Sequence, residues 1–249
     1  MKKINVIIPL AGKGSRFTEE KYTFPKPLID VNGNPMISVV IKNLTDVSRD
    51  MNFIFICQRE HYKQYDLNGI FKNSVNKNHT YEVIQIDSIT EGAACTALLA
   101  KKYIDSNDEL MVANSDQFVE KISMNNWWNR IDISKSDGLI MTFKSTHSKW
   151  SYARTDENAC VIEVAEKKVI SQNASTGLYW WRHGSDFVSS VEKMIEKDIR
   201  FNNEFYIAPT YNEMILDEKE IKLVEIPYER FHGLGTPEDL EKFLSLNKK

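Results

Sequence analysis

The sequence predicts an α/β protein with a central, mostly parallel, mixed β-sheet flanked by helices. Three observations lead there. Apolar, β-branched runs alternate with helical segments through the first half of the chain, which argues for parallel strands joined by crossover helices. The second half is richer in strands, which makes the sheet mixed. The 249 residues, 42% of them hydrophobic, can bury a substantial core without a disulfide or metal staple.

The elements follow in order. Residues 4–9 are an apolar run and read as a buried strand. Asn34-Pro35 opens a helix, because proline suits a first turn and Met36, Val39, Val40 and Leu44 recur at helical spacing. Residues 52–57 are a second strand, 59–64 a short helix, 65–79 a polar region, and 81–86 a third strand by alternation. Residues 92–104 are rich in alanine and leucine and predict one helix; 109–113 predict a fourth strand, stopping at Asn114-Ser115-Asp116. Further strands are expected at 138–144, 150–154, 160–164, 177–182 and 221–227. Helices are expected at 184–197 and 237–246, the last capped by Thr236 with Pro237 in its first position. No linker, repeat, low-complexity stretch or charge run marks a boundary, so one domain over 1–249 is expected. Trp127-Trp128 and Trp180-Trp181 are expected in the core, with a homo-oligomer interface as the alternative.

Lys and Arg total 32 against 35 Asp and Glu, a net charge of −3 that offers no bulk attraction to nucleic acid or an anionic membrane. The cysteines, Cys57, Cys95 and Cys160, are scattered and form no CxxC pair, which fits a reducing compartment. The apolar run after Met1-Lys2-Lys3 is too short for a secretion signal, and no stretch approaches the ~20 residues of a membrane span. A cytoplasmic location is expected.

The chemistry concentrates in Pro9-Leu10-Ala11-Gly12-Lys13-Gly14-Ser15-Arg16, with Lys26 beyond it. Glycines after a strand let backbone N–H groups approach a ligand closely, and a lysine and an arginine add donors suited to phosphate oxygens. The loop is not a Walker motif, which needs four residues between its first glycine and a Gly-Lys-Ser/Thr end. Nor is it a dinucleotide fingerprint, because Phe17 stands where a third glycine or alanine belongs. Alone, these residues fit a polyphosphate site and a tight turn with a surface arginine equally well.

Residues 9–37, PLAGKGSRFTEEKYTFPKPLIDVNGNPMI, resemble the opening of the sugar nucleotidyltransferase (nucleoside-triphosphate transferase) family. Its signature is a Gly-x-Gly-Thr/Ser-Arg loop, a spacer and Pro-Lys-Pro-Leu. The resemblance implies a single Rossmann-like nucleotidyltransferase domain, with a nucleotide-binding half at 1–120 and an acceptor-binding half at 121–249. Leu10, Ala11, Gly12, Lys13, Gly14, Ser15 and Arg16 would wrap a triphosphate, with Arg16 on its β/γ end. Lys26 would reach the α-phosphate and the incoming phosphate together. Glu91, Gly92 and Ala93 would meet the base, with Ser115 nearby, although helix-on-sheet packing explains the small residues there as well. Asp116, just past a buried strand, would hold Mg²⁺, whereas an isolated Ser-Asp more often caps its own turn. Arg16, Lys26 and Asp116 are thus the expected catalytic set.

Tyr152-Ala153, Glu166-Lys167 and Ser175-Thr176-Gly177 resemble the family's acceptor segments. Tyr152, Glu166, Lys167, Thr176 and Gly177 would then bind the acceptor, Glu166 through hydroxyls or an amine and Lys167 through its phosphate. Many members carry Asp-Thr-Gly-Thr near the end, whose aspartate is a second metal ligand; here that position is Gly233, so either one carboxylate holds the metal with water and phosphates, or His232 or Glu204 substitutes. The ensemble looks most like a branch from capsule and surface-polysaccharide gene clusters that includes cytidylyltransferases. This implies Mg²⁺-dependent transfer of CMP from CTP to a phosphorylated small molecule, such as glutamine phosphate or a sugar phosphate, with release of pyrophosphate. Uridylyl, thymidylyl or guanylyl transfer to a hexose 1-phosphate is the alternative. A nucleotide-sugar glycosyltransferase or a non-catalytic nucleotide sensor are the rivals from other classes.

Overall fold

A computed structural model describes residues 3–12, 14, 17, 22 and 24–246. The chain enters through β1 (Lys3–Pro9), whose side chains alternate between two cores: Ile4, Val6 and Ile8 face one, Ile7 the other. A hairpin, β2 (Asp30–Val31) and β3 (Asn34–Pro35), then closes around Asn32-Gly33, both at positive φ, as an Asn-Gly turn does. Pro35 thus ends a strand, and α1 (Met36–Leu44) starts one residue later. β4 (Asp50–Gln58), α2 (Arg59–Gln64), α3 (Leu67–Ser74) and β5 (Thr80–Ile86) follow. α3 lies in the segment expected to be merely polar; Leu67 and Phe71 bury it.

The single helix expected over 92–104 is two, α4 (Ala93–Leu98) and α5 (Lys101–Ile104). Between them Leu99, Ala100 and Tyr103 bond to carbonyls three residues back, which tightens the turn and breaks the α-register. β6 (Glu109–Ala113), the short β7 (Gln117–Val119), α6 (Lys121–Ile133), β8 (Gly138–Lys144), β9 (Tyr152–Thr155), β10 (Val161–Ala165) and β11 (Asn173–Trp181) come next. The chain closes with α7 (Gly184–Glu196), α8 (Tyr211–Leu216), β12 (Ile221–Glu225), β13 (Phe231–Gly233) and α9 (Pro237–Leu246). Asp239 N–H donates to Thr236 Oγ1 at 3.1 Å, the expected cap of α9.

β5, β4, β1 and β6 form a parallel sheet, continued by antiparallel β11 and then β8, with β12 parallel to β8. The β9–β10 hairpin joins β11 at Ala174↔Tyr152. Helices cover both faces, so the chain is an α/β domain around a mixed, mostly parallel sheet. All four tryptophans of the two pairs are buried, Trp127 and Trp128 on one face of the sheet with Trp180, Trp181 on the other. No helix among the described residues is long and apolar enough to cross a membrane.

The register of β1 against β6 (Ile7↔Val112) brings the loop after Pro9 beside Asn114-Ser115-Asp116. Both leave the carboxyl ends of adjacent parallel strands, where α/β sheets place ligand clefts. Pairing of β7 with β13 adds Gly233 to that rim opposite Gln117.

Candidate active site

A cleft of about 510 Å³ opens over these strand ends. Its floor is the stretch from Pro9 to Gly12, fixed by Leu10 N–H on the Ile56 carbonyl (2.7 Å) and by Gln58 Nε2 on the Ala11 carbonyl (3.0 Å). Gly14, at φ +60°, lies so close to Lys26 that an added Cβ would be 3.1 Å from the lysine's own Cβ. The loop therefore folds onto Lys26. Lys26 opens a short turn, and its ammonium pairs with the Asp116 carboxylate, both partly exposed to the cleft. Leu234 N–H donates to the Asp116 carbonyl (2.7 Å), which holds the acidic turn against the β13 rim.

Glu166 and Lys167 also line the cleft. The Glu166 carboxylate is buried and accepts from the Ser151 hydroxyl. Lys167 sits at φ +50°, a left-handed conformation unusual for a lysine, with its N–H bonded to the Trp150 carbonyl (3.1 Å). That twist lets two consecutive side chains serve one cleft: Lys167 Nζ lies 3.9 Å from Glu166 Oε1 and donates to Tyr206 Oη at 2.8 Å. Tyr179 lines the same cleft; burial pushes its phenol up, the Glu166 carboxylate adds to the rise, and the Ser175 and Ser151 hydroxyls offset part of it. It stays protonated.

Leu10, Ala11, Gly12, Gly14, Lys26, Gly92, Ala93, Ser115, Asp116, Glu166, Lys167, Thr176 and Gly177 all line this cleft. Two expected residues do not reach it. Tyr152 is wholly buried in the core, its hydroxyl donating to the His147 carbonyl (2.8 Å); its neighbours Trp150 and Ser151 face the cleft instead. Glu91 points away and binds Arg200, Nη1 to Oε2 at 2.5 Å. Lys13, Ser15 and Arg16 lie outside the described residues. Gly177 has a second reason to be glycine: at φ +89°, a Cβ would stand 2.3 Å from Asn114 Nδ2 and 2.5 Å from Gln117 Oε1. Gln117 itself is a site residue the sequence reading missed. It is 2% exposed on the cleft wall, and neither side-chain polar atom has a partner among the described residues.

Of the candidate replacements for a carboxylate at Gly233, Glu204 lines the cleft, whereas His232 packs between Phe118 and Phe243 beside Glu120. Neither is the carboxylate nearest to Gly233 among the described residues. Asp239 from α9 is: its Oδ2 lies 3.7 Å from where a Gly233 Cβ would be, while both oxygens accept from Lys149 Nζ at 3.1 Å. The described residues hold no cluster of three or more His, Cys, Asp or Glu side chains able to ligate a metal by themselves. A single carboxylate suits Mg²⁺, which keeps several waters and takes further oxygens from substrate phosphates.

The chain as a whole is similar to known proteins. The nucleotidyl transferase family model matches residues 5–219, so the chain belongs to that family. It is 25% identical over 250 residues to the bifunctional protein GlmU of Nitratiruptor sp., covering 95% of this chain and 52% of that protein. The chain thus spans about half the length of these bifunctional relatives. A 43-residue stretch is 54% identical to 2-aminoethylphosphonate cytidylyltransferase of Lancefieldella rimae, covering 17% of this chain and 18% of the relative. Among solved structures, a nucleoside-diphosphate-sugar pyrophosphorylase from Vibrio cholerae superposes with TM-score 0.79 at 25% identity, over 96% of this chain and 99% of that one. An inositol-1-phosphate CTP transferase from T. maritima shares the fold (TM-score 0.75, 12% identity, 98% and 96% coverage).

Proposed function

We propose that this nucleotidyltransferase moves CMP from CTP onto a phosphorylated small-molecule acceptor and releases pyrophosphate, in the making of a capsule or surface-polysaccharide precursor. The observation that carries the transfer reaction is the Lys26–Asp116 pair, set in one cleft between the glycine loop and the Glu166–Lys167 wall. The choice of cytidylyl transfer is supported by the stretch similar to the Lancefieldella cytidylyltransferase. Residues 1–120 would serve the nucleotide and 121–249 the acceptor.

An acceptor phosphate oxygen attacks the α-phosphorus in line; the new P–O bond forms as the α–β bridge breaks, and the electron pair leaves with pyrophosphate. No protein nucleophile is required, since such transfers depend on positioning and charge stabilisation. Asp116 would hold Mg²⁺, and the ion would supply charge neutralisation at the reacting phosphates. Lys26, released from Asp116 when phosphate oxygens arrive, stabilises charge growing at the α-phosphorus. Arg16 and the loop amides would hold the departing β/γ-phosphates. Lys167 binds the acceptor phosphate, and Glu166 accepts hydrogen bonds from its hydroxyl or amine groups. Gln117 offers both a donor and an acceptor to the same molecule.

A pyrophosphate-release screen with Mg²⁺ tests this reading. It crosses CTP, UTP, GTP, ATP and dTTP with hexose 1-phosphates, phosphocholine, glycerol phosphate, glutamine phosphate and 2-aminoethylphosphonate. Release with CTP and a non-sugar acceptor is the expected result. The second reading, hexose 1-phosphate nucleotidyl transfer, is favoured by the Vibrio cholerae pyrophosphorylase and predicts release with a sugar phosphate instead. Triphosphate binding with no release in any combination would overturn both.

A further inference from the structure

Sequence-distant residues join the two halves of the cleft. We propose that Glu91 and Arg200 are positioning residues that couple the nucleotide half to the acceptor lysine, Lys167, through residues 201–206. The inference rests on the reading of the two halves given above.

The connecting segment is well defined. After α7 the chain turns at Asp198 (φ +51°), with Ile199 N–H on the Met194 carbonyl at 3.0 Å. Phe201 and Glu204 then exchange two backbone hydrogen bonds of 3.0 Å around Asn202 and Asn203, both at positive φ. That is a type I′ turn, which asparagines favour. Phe205 comes next and is clipped across Gly92: its N–H donates to the Glu91 carbonyl (2.8 Å), and Ala94 N–H donates to its carbonyl (3.0 Å). The approach is so close that a Cβ on Gly92 would lie 2.4 Å from the Phe205 carbonyl oxygen. Arg200 closes the clasp. Its guanidinium binds the Glu91 and Asp198 carboxylates and lies 4.1 Å from the Phe205 ring centroid.

Tyr206 is one residue further on. Its hydroxyl accepts from Lys167 Nζ, and its ring and that of Phe201 stand 4.6 and 5.6 Å from the ammonium. Residues 91–94 therefore reach Lys167 through two backbone bonds, one ion pair and one covalent neighbour. Burial of Phe205 alone would anchor the segment; the ion pair and the two backbone bonds set its register on Gly92. A nucleotide that further orders residues 91–94 would further order Tyr206 and the Lys167 ammonium with them, so the acceptor phosphate meets a better-aligned cation once the nucleotide is in place.

Hydrogen–deuterium exchange on the full chain, with and without Mg²⁺ and each of CTP, UTP, GTP and dTTP, tests the coupling. In the wild type a bound triphosphate is expected to slow exchange both at 91–96 and at 200–207. Arg200→Ala and Glu91→Gln should keep the first effect and lose the second by about fivefold or more, the lower range of site-to-site coupling. Arg200→Lys, which keeps a positive charge between Glu91 and Asp198, should retain part of it. In turnover the single variants should raise the acceptor KM by the same factor and leave the triphosphate KM within about twofold. Slowing at 91–96 with no response at 200–207, or an equal response in both single variants, overturns the coupling while leaving the nucleotide half intact. No slowing at 91–96 with any triphosphate overturns the nucleotide reading and the coupling with it.

Discussion

Replacing Lys26 with alanine separates a catalytic lysine from a structural one. The ammonium pairs with Asp116, and the two side chains are 21% and 19% exposed. A pair this accessible to solvent contributes at most about 1 kcal/mol to folding, a Tm loss of about 2–4 °C in a chain of this size. In the transition state, removal of one preorganised charge-stabilising donor costs about 10²–10³ in kcat, or roughly 2.7–4 kcal/mol. Lys26→Ala should therefore melt near the wild type and bind triphosphate, yet turn over at least a hundredfold more slowly. The assay is initial-rate pyrophosphate release with a melting curve on the same preparation. Near-normal kcat, or a loss of rate matched by a large fall in Tm, would refute the assignment, because either result makes Lys26 a partner of Asp116 and nothing more.

Other positions give sharper structural tests. Gly177→Ala must place a methyl against Asn114 and Gln117 at positive φ, so a loss of about 1–3 kcal/mol is expected, read as a lowered denaturant midpoint. Lys167→Met should raise the acceptor KM at least tenfold with little change in the triphosphate KM, since uniform binding of one phosphate is what it removes. His79 is buried with neither ring nitrogen bonded among the described residues, and burial holds its pKa below the usual histidine value against the pull of Asp50 and Asp46. The unfolded chain binds that proton more readily, so the stabilisation is full above about pH 6.5 and falls as pH drops below it. Melting curves from pH 7.5 to 5 should show that slope, and His79→Phe should flatten it. Gly233→Asp should lower Tm without tightening Mn²⁺ binding, because its Cβ fits at ordinary contact distance but its carboxylate would stand beside that of Asp239.

The sheet was legible because its strands are continuous apolar runs, and β1, β4 and β6 lie where those runs lie. Helices with mixed faces were not. α6 buries Ser123 alongside Met124, Trp127, Trp128 and Ile131, so no clean apolar stripe announces it. The strands β7 and β13 are three residues each and exist only through each other. In the cleft, residues recognised by motif arrive largely together, since the strand register dictates it. Glu91 and Tyr152 stay outside because their partners are tertiary: Arg200 lies 109 positions from Glu91, and Tyr152 points into the core while its neighbours face out. Gln117 leaves no pattern in sequence. Its meaning comes from burial without a partner, which only coordinates reveal.

Gly233 is tied to the side chains of the whole wall. A Cβ there would sit 3.4 Å from the Trp150 ring and 3.7 Å from Asp239 Oδ2, so the position borders both side chains at ordinary contact distance. Those side chains are tied to one another: Lys149 bonds both Asp239 oxygens and lies 4.6 Å from the Trp150 ring centroid, and Asp239 accepts from Thr236 at the head of α9. Trp150 also fixes the backbone of Lys167. The glycine, the Lys149–Asp239 pair and the twisted Glu166–Lys167 turn are therefore one packed arrangement. The wall thus carries a glycine on β13 and an ion pair from α9 beside it. Acceptor selectivity should accordingly change when Trp150 or Lys149 is altered, and not only when Glu166 or Lys167 is.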